Sequence, residues 1–420
     1  MASSPLIRTA RLAARPVARA VRRHILPRVM PTMRHPFPEA VRNVRVVGLL
    51  SSSSGLGESA RLCIDSLTRA GCGVTTADVA ALFDSDDGVA YPRRDSGPPA
   101  DVAIYHLNPT MLLPSILRAG LPQHLRTYSI GYWAWELETL PPEWVGALRF
   151  VDAVMVPSRF CQEAVQAYTS KPVVVVPHPV ERPAPVADTV ADPAARGADA
   201  RFRVVSIFNL GSSFLRKNPV AAIMAFRAAF GESDAAELVL KISDGARYPA
   251  ERDRIHAAIA GARNIRLIDA VWDRAALQGL LASADAYLSL HRSEGFGLTL
   301  AEAALAGIPV VATNWSGSTD ICPPELCYPV DHALVPFNDP HPAYAGLRRA
   351  RWAEPDVAHA AEQLRRIRAA PAEARARARA LRTWLAEYLA RHDYRGALGE
   401  IAARMPAGVP EALGRDAARP

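Results

Sequence analysis

The chain has 420 residues, half of them hydrophobic, and a mean hydropathy close to zero. That length suggests two domains, and no window beyond the N-terminal tail approaches the roughly 18 apolar residues of a membrane span. The formal charge of +7 invites a nucleic-acid partner, but residues 1–40 carry eight arginines against the single acid Glu39. The tail accounts for the whole excess, the body is formally neutral, and no nucleic-acid partner is expected.

Residues 1–40 mix arginine with Leu, Ile and Val, and their prolines would break any long helix. They read as an adapter lying on an anionic membrane surface, as an organelle presequence or as a disordered extension, and they lack the apolar core of a secretory signal. "VRNVRVVGLL" (Val41–Leu50) reads as a buried strand, "SSSSGLGES" as a glycine turn, and "ARLCIDSLTRAG" as a helix ending at Gly71. Further apolar runs, "DVAIYHL", "RTYSIGYWAW", "DAVMVPS" and "KPVVVVPHPV", alternate with helical stretches. Glu181–Arg201 is rich in Pro, Ala and Asp, lacks periodicity and reads as a linker. A second alternating series begins at "FRVVSIFNL" and continues through "AELVLKIS", "NIRLIDAV", "ADAYLSLH" and "IPVVATN". Strands alternating with helices predict an α/β fold of two Rossmann-like, doubly wound parallel sheets facing a central cleft. The expected division is a basic tail (1–40), a first domain (41–180), the linker (181–201), a second domain (202–375), C-terminal helices (376–405) and a tail (406–420). In the helices, Leu381, Trp384, Leu385, Tyr388 and Leu389 fall at helical spacing and should pack on a domain. Five cysteines (Cys63, Cys72, Cys161, Cys322 and Cys327), with no CxxC, argue against a zinc site or disulfide framework and fit a reducing cytosol.

The most informative stretch is "LHRSEGFGLTLAEAALAGIPVVATNWSG" (Leu290–Gly317). "RSEGFG" is a strand-to-helix turn at the carboxyl end of a strand, where open α/β sheets bind ligands. Gly295 and Gly297 let the backbone approach a ligand, and the free amides around Gly297, Leu298 and Thr299 can receive a phosphate. Glu294 could accept hydrogen bonds from sugar hydroxyls, and Glu302 from a second pair such as a ribose diol. A turn cap and an acid near a helix N-terminus would explain the bare spacing better, but the glycine pattern and the following "AGIPVVATNWSG" reverse that preference.

The stretch resembles the E-x7-E signature of the retaining group 1 (family 4) glycosyltransferases, which have the GT-B fold. "GLGESARLCIDSLTRAG", "GYWAWELETLPPEW", "VPSRF", "VPHPV" and "RKNPVAAIMAFRAAF" resemble landmarks of one branch in the same order. The resemblance implies that Glu294 contacts the donor sugar, Glu302 the nucleotide ribose and Lys217 the diphosphate. It implies further donor contacts from Gly55, Gly57 and Glu58 across the cleft and from Phe296 in the turn. Many relatives carry an arginine six residues before the lysine; here Gly211 stands there, which leaves Arg216 or Arg292 to supply a second cation. A family histidine at the donor sugar is replaced by Tyr132 or Trp133. Stacking aromatics and the nearby Glu136 suit a sugar pocket, although core packing would explain the same aromatics.

His106 ends a strand and could face the cleft or be structural; His291 and Arg292 adjoin the turn. "DSDDG" (Asp84–Gly88) contains a D-x-D, but it lies in a polar loop and no metal is expected. The resulting expectation is a cytoplasmic hexosyltransferase that retains configuration and works without metal or cofactor. Its donor would be a nucleoside-diphosphate sugar and its acceptor a carbohydrate or lipid-linked glycan, with peripheral membrane contact through the basic tail. An inactive nucleotide-sugar-binding protein and a sugar-nucleotide epimerase are the alternatives. A dehydrogenase is disfavoured because the dinucleotide fingerprint stops at Ala60.

Overall fold

The computed structural model describes residues 32–181, 201–347 and 349–404. Most of the basic tail, nearly all of the expected linker and the final segment lie outside the described residues.

The first sheet is built from β1 (Asn43–Gly48), β2 (Gly73–Asp78), β3 (Val102–His106), β4 (Tyr128–Tyr132), β5 (Ala153–Val156) and β6 (Val173–Val175). The strands are parallel throughout, in the order β2-β1-β3-β4-β5-β6. Every residue of β3, β4 and β5 is buried. Such unbroken burial is expected of a parallel sheet covered on both faces. The principal covering helices are α1 (Gly55–Arg69), α2 (Pro109–Ala119), α3 (Pro142–Ala147) and α4 (Arg159–Gln166). Helix α1 starts where Ser54 adopts extended backbone and its Oγ accepts from the Gly57 amide.

The second domain begins with β7 (Phe202–Asn209), a four-residue helix α5 (Phe214–Lys217) and α6 (Pro219–Phe230). It continues through β8 (Ala236–Ser243), α7 (Pro249–Ile259), β9 (Ile265–Asp269), α8 (Arg274–Ala282) and β10 (Ala286–Ser289). Helix α9 (Leu298–Leu305) follows, then β11 (Val310–Thr313) and β12 (Tyr328–Val330). The strand order is β12-β11-β10-β7-β8-β9, all parallel. The order reverses between β7 and β10, which makes the crevice at their carboxyl ends the topological switch point.

Among the described residues, two excursions of the chain reach from the second domain to the first. An antiparallel pair, β13 (His332–Pro336) and β14 (Arg351–Pro355), holds out an arm whose Tyr344, Leu347 and Ala350 reach the first domain. There Phe337, Tyr344 and Trp352 join the apolar cluster of Trp133, Trp135 and Trp144. After α10 (Val357–Ala369), helix α11 (Pro371–Arg391) packs Leu381, Leu385, Tyr388 and Leu389 on the second domain. Burying a leucine contributes about 1.5–3 kcal/mol. The chain then returns: α12 (Tyr394–Arg404) buries Tyr394, Ala397, Leu398 and Ile401 against the first sheet.

Candidate active site

The loop after β7 is shaped by side chains that cap its own backbone. Asn209 Oδ1 accepts from the Gly211 amide, and Ser213 Oγ from the Arg216 amide at 3.1 Å. Ser213 and Asn218 both hold positive φ, 68° and 49°, and bracket helix α5. Two non-glycine residues in this sparsely populated region mark a locally strained segment. It presents Arg216 and Lys217 at the switch point.

Across the crevice, β10 runs into the turn of Glu294. Glycine is required there by close approach: a Cβ at position 295 would lie 2.7 Å from the Trp135 carbonyl oxygen. Gly297 opens α9 with φ 94°. Ser316, itself at φ 69°, accepts from the Glu294 amide at 2.8 Å. Ser158 Oγ of the first domain donates to the Gly295 carbonyl at 2.7 Å.

These elements bring Glu294, Arg216 and Lys217 together. Glu294 is 7% exposed and Arg216 4%. Arg216 Nη1 donates to Glu294 Oε2 at 3.0 Å and to the Ser293 carbonyl at 3.0 Å. Lys217 Nζ donates to Glu294 Oε1. Glu136 of the first domain stands 3.5 Å from Arg216 Nη2. Burial alone would raise the Glu294 carboxyl, but Lys217 and Arg216 outweigh it and hold it at about 2. Burial pulls the Lys217 ammonium below its usual range against the attraction of Glu294. Burial pushes the half-buried Glu136 carboxyl up, against the attraction of Arg216.

Glu302 lies one turn into α9. Burial, then the charge of Glu58 on α1, raise its carboxyl to about 7. Glu58 is paired with Arg61 at 2.8 Å. Gly55 faces Leu298, with its Cβ direction 3.7 Å from a Leu298 methyl. The amino ends of α1 and α9 therefore meet across the cleft, and both favour an anion. Phe296 and Thr299 sit in the same turn and first helical residues; Phe296 packs edge-on against His178 of the first domain, with ring centroids 4.8 Å apart.

Other residues singled out from the sequence are placed differently. Arg292 turns away: Nε and Nη2 grip Glu354 at 2.6 and 3.0 Å, and its guanidinium lies over Trp352. His291 is fully buried between Ser289 and Ser318, and burial lowers it to about 4. His106 is also fully buried, 2.8 Å from the Tyr394 hydroxyl and stacked on Tyr132. Tyr132 donates to the Val176 carbonyl at 2.7 Å, and Trp133 has no exposed surface. The structure does not bring His106, Tyr132 or Trp133 to the Glu294 cluster. It adds Ser213 and Ser316, which accept from the Arg216 and Glu294 amides, and Tyr344, whose hydroxyl interacts with Arg216; none of the three was assigned a site role from the sequence. The serines had a signal, Ser316 adjoining Gly317 and Ser213 following Gly211 by two residues, each in the loop after a strand; Tyr344 had none, because it arrives on a segment without periodicity. Among the described residues, no three His, Cys, Asp or Glu side chains are grouped as metal ligands.

Comparison with known proteins agrees with this architecture. HepE from Anabaena, in complex with UDP and glucose, is 15% identical with a TM-score of 0.60, over 86% of this chain and 98% of that one. The sucrose-phosphate synthase of Thermosynechococcus elongatus is 16% identical with a TM-score of 0.62, again over 86% and 98%. A UDP-forming α,α-trehalose-phosphate synthase from Burkholderia xenovorans is 14% identical with a TM-score of 0.59, over 87% and 98%. These likenesses establish the fold. No curated protein matches in sequence. The sequence profile described as "Family 4 Glycosyltransferase in conflict systems" matches residues 154–394, more than half of the chain. The chain thus belongs to the family 4 glycosyltransferases of conflict systems and has the two-domain GT-B fold.

Proposed function

We propose that the protein transfers a hexosyl unit from a nucleoside-diphosphate sugar to a carbohydrate or lipid-linked acceptor, with retention of configuration. The observation that carries this reading is the Glu294–Lys217–Arg216 cluster at the switch point of the second sheet. UDP bound to HepE, and the UDP-forming reaction of the trehalose-phosphate synthase, support a nucleotide donor. In this reading, residues 202–375 hold the donor and residues 41–180 admit the acceptor.

Glu294, ionised at neutral pH, is an acceptor-only group suited to two sugar hydroxyls. Glu302 takes the ribose diol. The diphosphate lies between the amino ends of α1 and α9, beside Lys217 and Arg216. As the anomeric C–O bond breaks, negative charge gathers on the diphosphate, where the preorganised cations and helix amides stabilise it. The acceptor hydroxyl attacks from the face of the departing diphosphate, which takes up its proton, so configuration is kept. Those fixed charges fill the role a divalent ion plays elsewhere, and transfer should persist in EDTA.

The test is a panel of nucleoside-diphosphate hexoses screened by thermal shift, because a bound donor raises the unfolding temperature by mass action. A stabilising donor is then assayed for release of its nucleoside diphosphate, with the product anomer read by NMR. Turnover with the donor's own anomeric configuration is the expected result. Donor binding without turnover, an inverted product, or an isomerised donor in the absence of acceptor defeats the reading.

A further inference from the structure

Lys241, near the carboxyl end of β8, is 5% exposed. Among the described residues its ammonium has no hydrogen-bond or ion-pair partner; it faces the Trp272 ring, with Nζ 6.0 Å from the centroid. The nearby acids are engaged elsewhere: Asp269 accepts from the Gly245 amide at 3.2 Å and Asp244 from Asn209 Nδ2 at 2.7 Å. Burial lowers the lysine's pKa, and the two acids only partly offset that. The stem is buried but the ammonium still meets solvent, and a lysine packed this deeply to present an unpaired tip needs an explanation.

Its position supplies one. In register, Lys241 lies between Ile207 on β7 and Ile268 on β9. Ile207, Val239, Ile268 and Trp272 belong to the apolar cluster that includes Phe296, Leu298 and Leu300. Lys241 therefore shares the sheet face covered by α9, the helix of Glu302. Arg274, two residues after Trp272, is close enough to act on the Glu302 carboxyl. Tyr287 on β10, which also senses Glu302, donates to the Ile207 carbonyl at 3.2 Å. Two strand spacings, about 10 Å, separate β8 from β10. That is the reach of one nucleoside from its ribose diol to the far edge of its base.

We propose that Lys241 and Trp272 read the donor's base: the indole packs against the heterocycle and the ammonium donates to a ring carbonyl. An ammonium offers three donors and no acceptor. It therefore favours bases presenting a carbonyl at that edge (uracil, thymine, guanine) over those presenting an amino group (adenine, cytosine). The inference rests on the reading of Glu302 as the ribose ligand.

The experiment is calorimetric titration of the full chain with UDP, TDP, GDP, ADP, CDP and inorganic pyrophosphate, in wild type, Lys241→Met and Glu302→Ala. Wild type should bind at least one carbonyl base about tenfold or more tighter than either amino base, as expected for a hydrogen bond to a charged group. Lys241→Met should erase that preference, leave pyrophosphate affinity unchanged and raise the unfolding temperature of the free protein. A preference that survives Lys241→Met overturns the inference. So does an equal loss for all diphosphates and pyrophosphate, which would make Lys241 a phosphate ligand. If Glu302→Ala weakens every nucleotide while Lys241→Met changes nothing, the donor reading stands and this inference alone falls. If wild type binds no nucleotide, both fall.

Discussion

Two regions of this molecule hold dense sets of residues capable of chemistry, and they differ in how those residues are satisfied. In the first domain, His106, His178, Tyr132, Tyr394 and Ser59 form a closed network: Ser59 Oγ lies 3.2 Å from His106 Nδ1 and 2.8 Å from His178 Nδ1. Burial lowers both histidines, so the network is neutral at physiological pH. At the switch point of the second sheet, Arg216 and Lys217, on a segment bracketed by the strained Ser213 and Asn218, are ion-paired with Glu294 on the turn after β10. Strand-end position alone does not tell the two places apart: His106 and Tyr132 end β3 and β4, and Glu294 follows β10. The first set is neutral and closed by its own hydrogen bonds, whereas the proposed function has the second set exchange its ion pairs for those of a ligand.

The largest expected effect breaks the charged region. Glu294→Gln keeps the shape, and Lys217→Met removes one cation; each should lower donor turnover by about a hundredfold or more, about 2.7 kcal/mol in the barrier. Circular dichroism and the unfolding midpoint check that the fold survives, and wild-type rates in both variants would erase the contrast between the regions. The neutral network should respond in the opposite sense. His106→Leu leaves Ser59 and the Tyr394 hydroxyl short of partners, so urea unfolding should show a loss of about 1–3 kcal/mol while turnover stays near that of wild type.

The smallest effect is a pH dependence that sharpens the comparison within the cleft. Glu302 has a folded value near 7, above that of an unfolded carboxylate, so its contribution to stability is present at low pH and is lost as pH rises from about 4.5 to 7. Glu294 has the opposite sign, and its contribution is lost as pH falls toward 2. A ribose diol prefers the ionised Glu302, so donor binding should release a proton and tighten severalfold between pH 6 and 8. Calorimetry in buffers of different ionisation heat measures the proton count, and Glu302→Gln should bring it to zero.

Much of this architecture was legible because parallel sheets buried on both faces write themselves as short apolar runs between helices. Glu294 and Glu302 stood out because an acid beside Gly295, or inside the apolar helix "LTLAEAAL", contradicts its surroundings. His106 and Tyr132 were ambiguous at the same level: a strand end borders both cleft and core, and the return of α12 with Tyr394, 288 positions away, closes the site around His106. Arg292 adjoins the turn in sequence, yet its direction is set by Glu354 on β14. Long-range partners of this kind leave no local periodicity.

The return of α12 also has a mechanical consequence. Between α11 and α12 only His392 and Asp393 separate a helix packed on the second domain from one packed on the first. The arm that carries Tyr344 and Trp352 is a second tie, so any parting of the two lobes would have to lift those aromatics out of their seat beside Trp135 and Phe337.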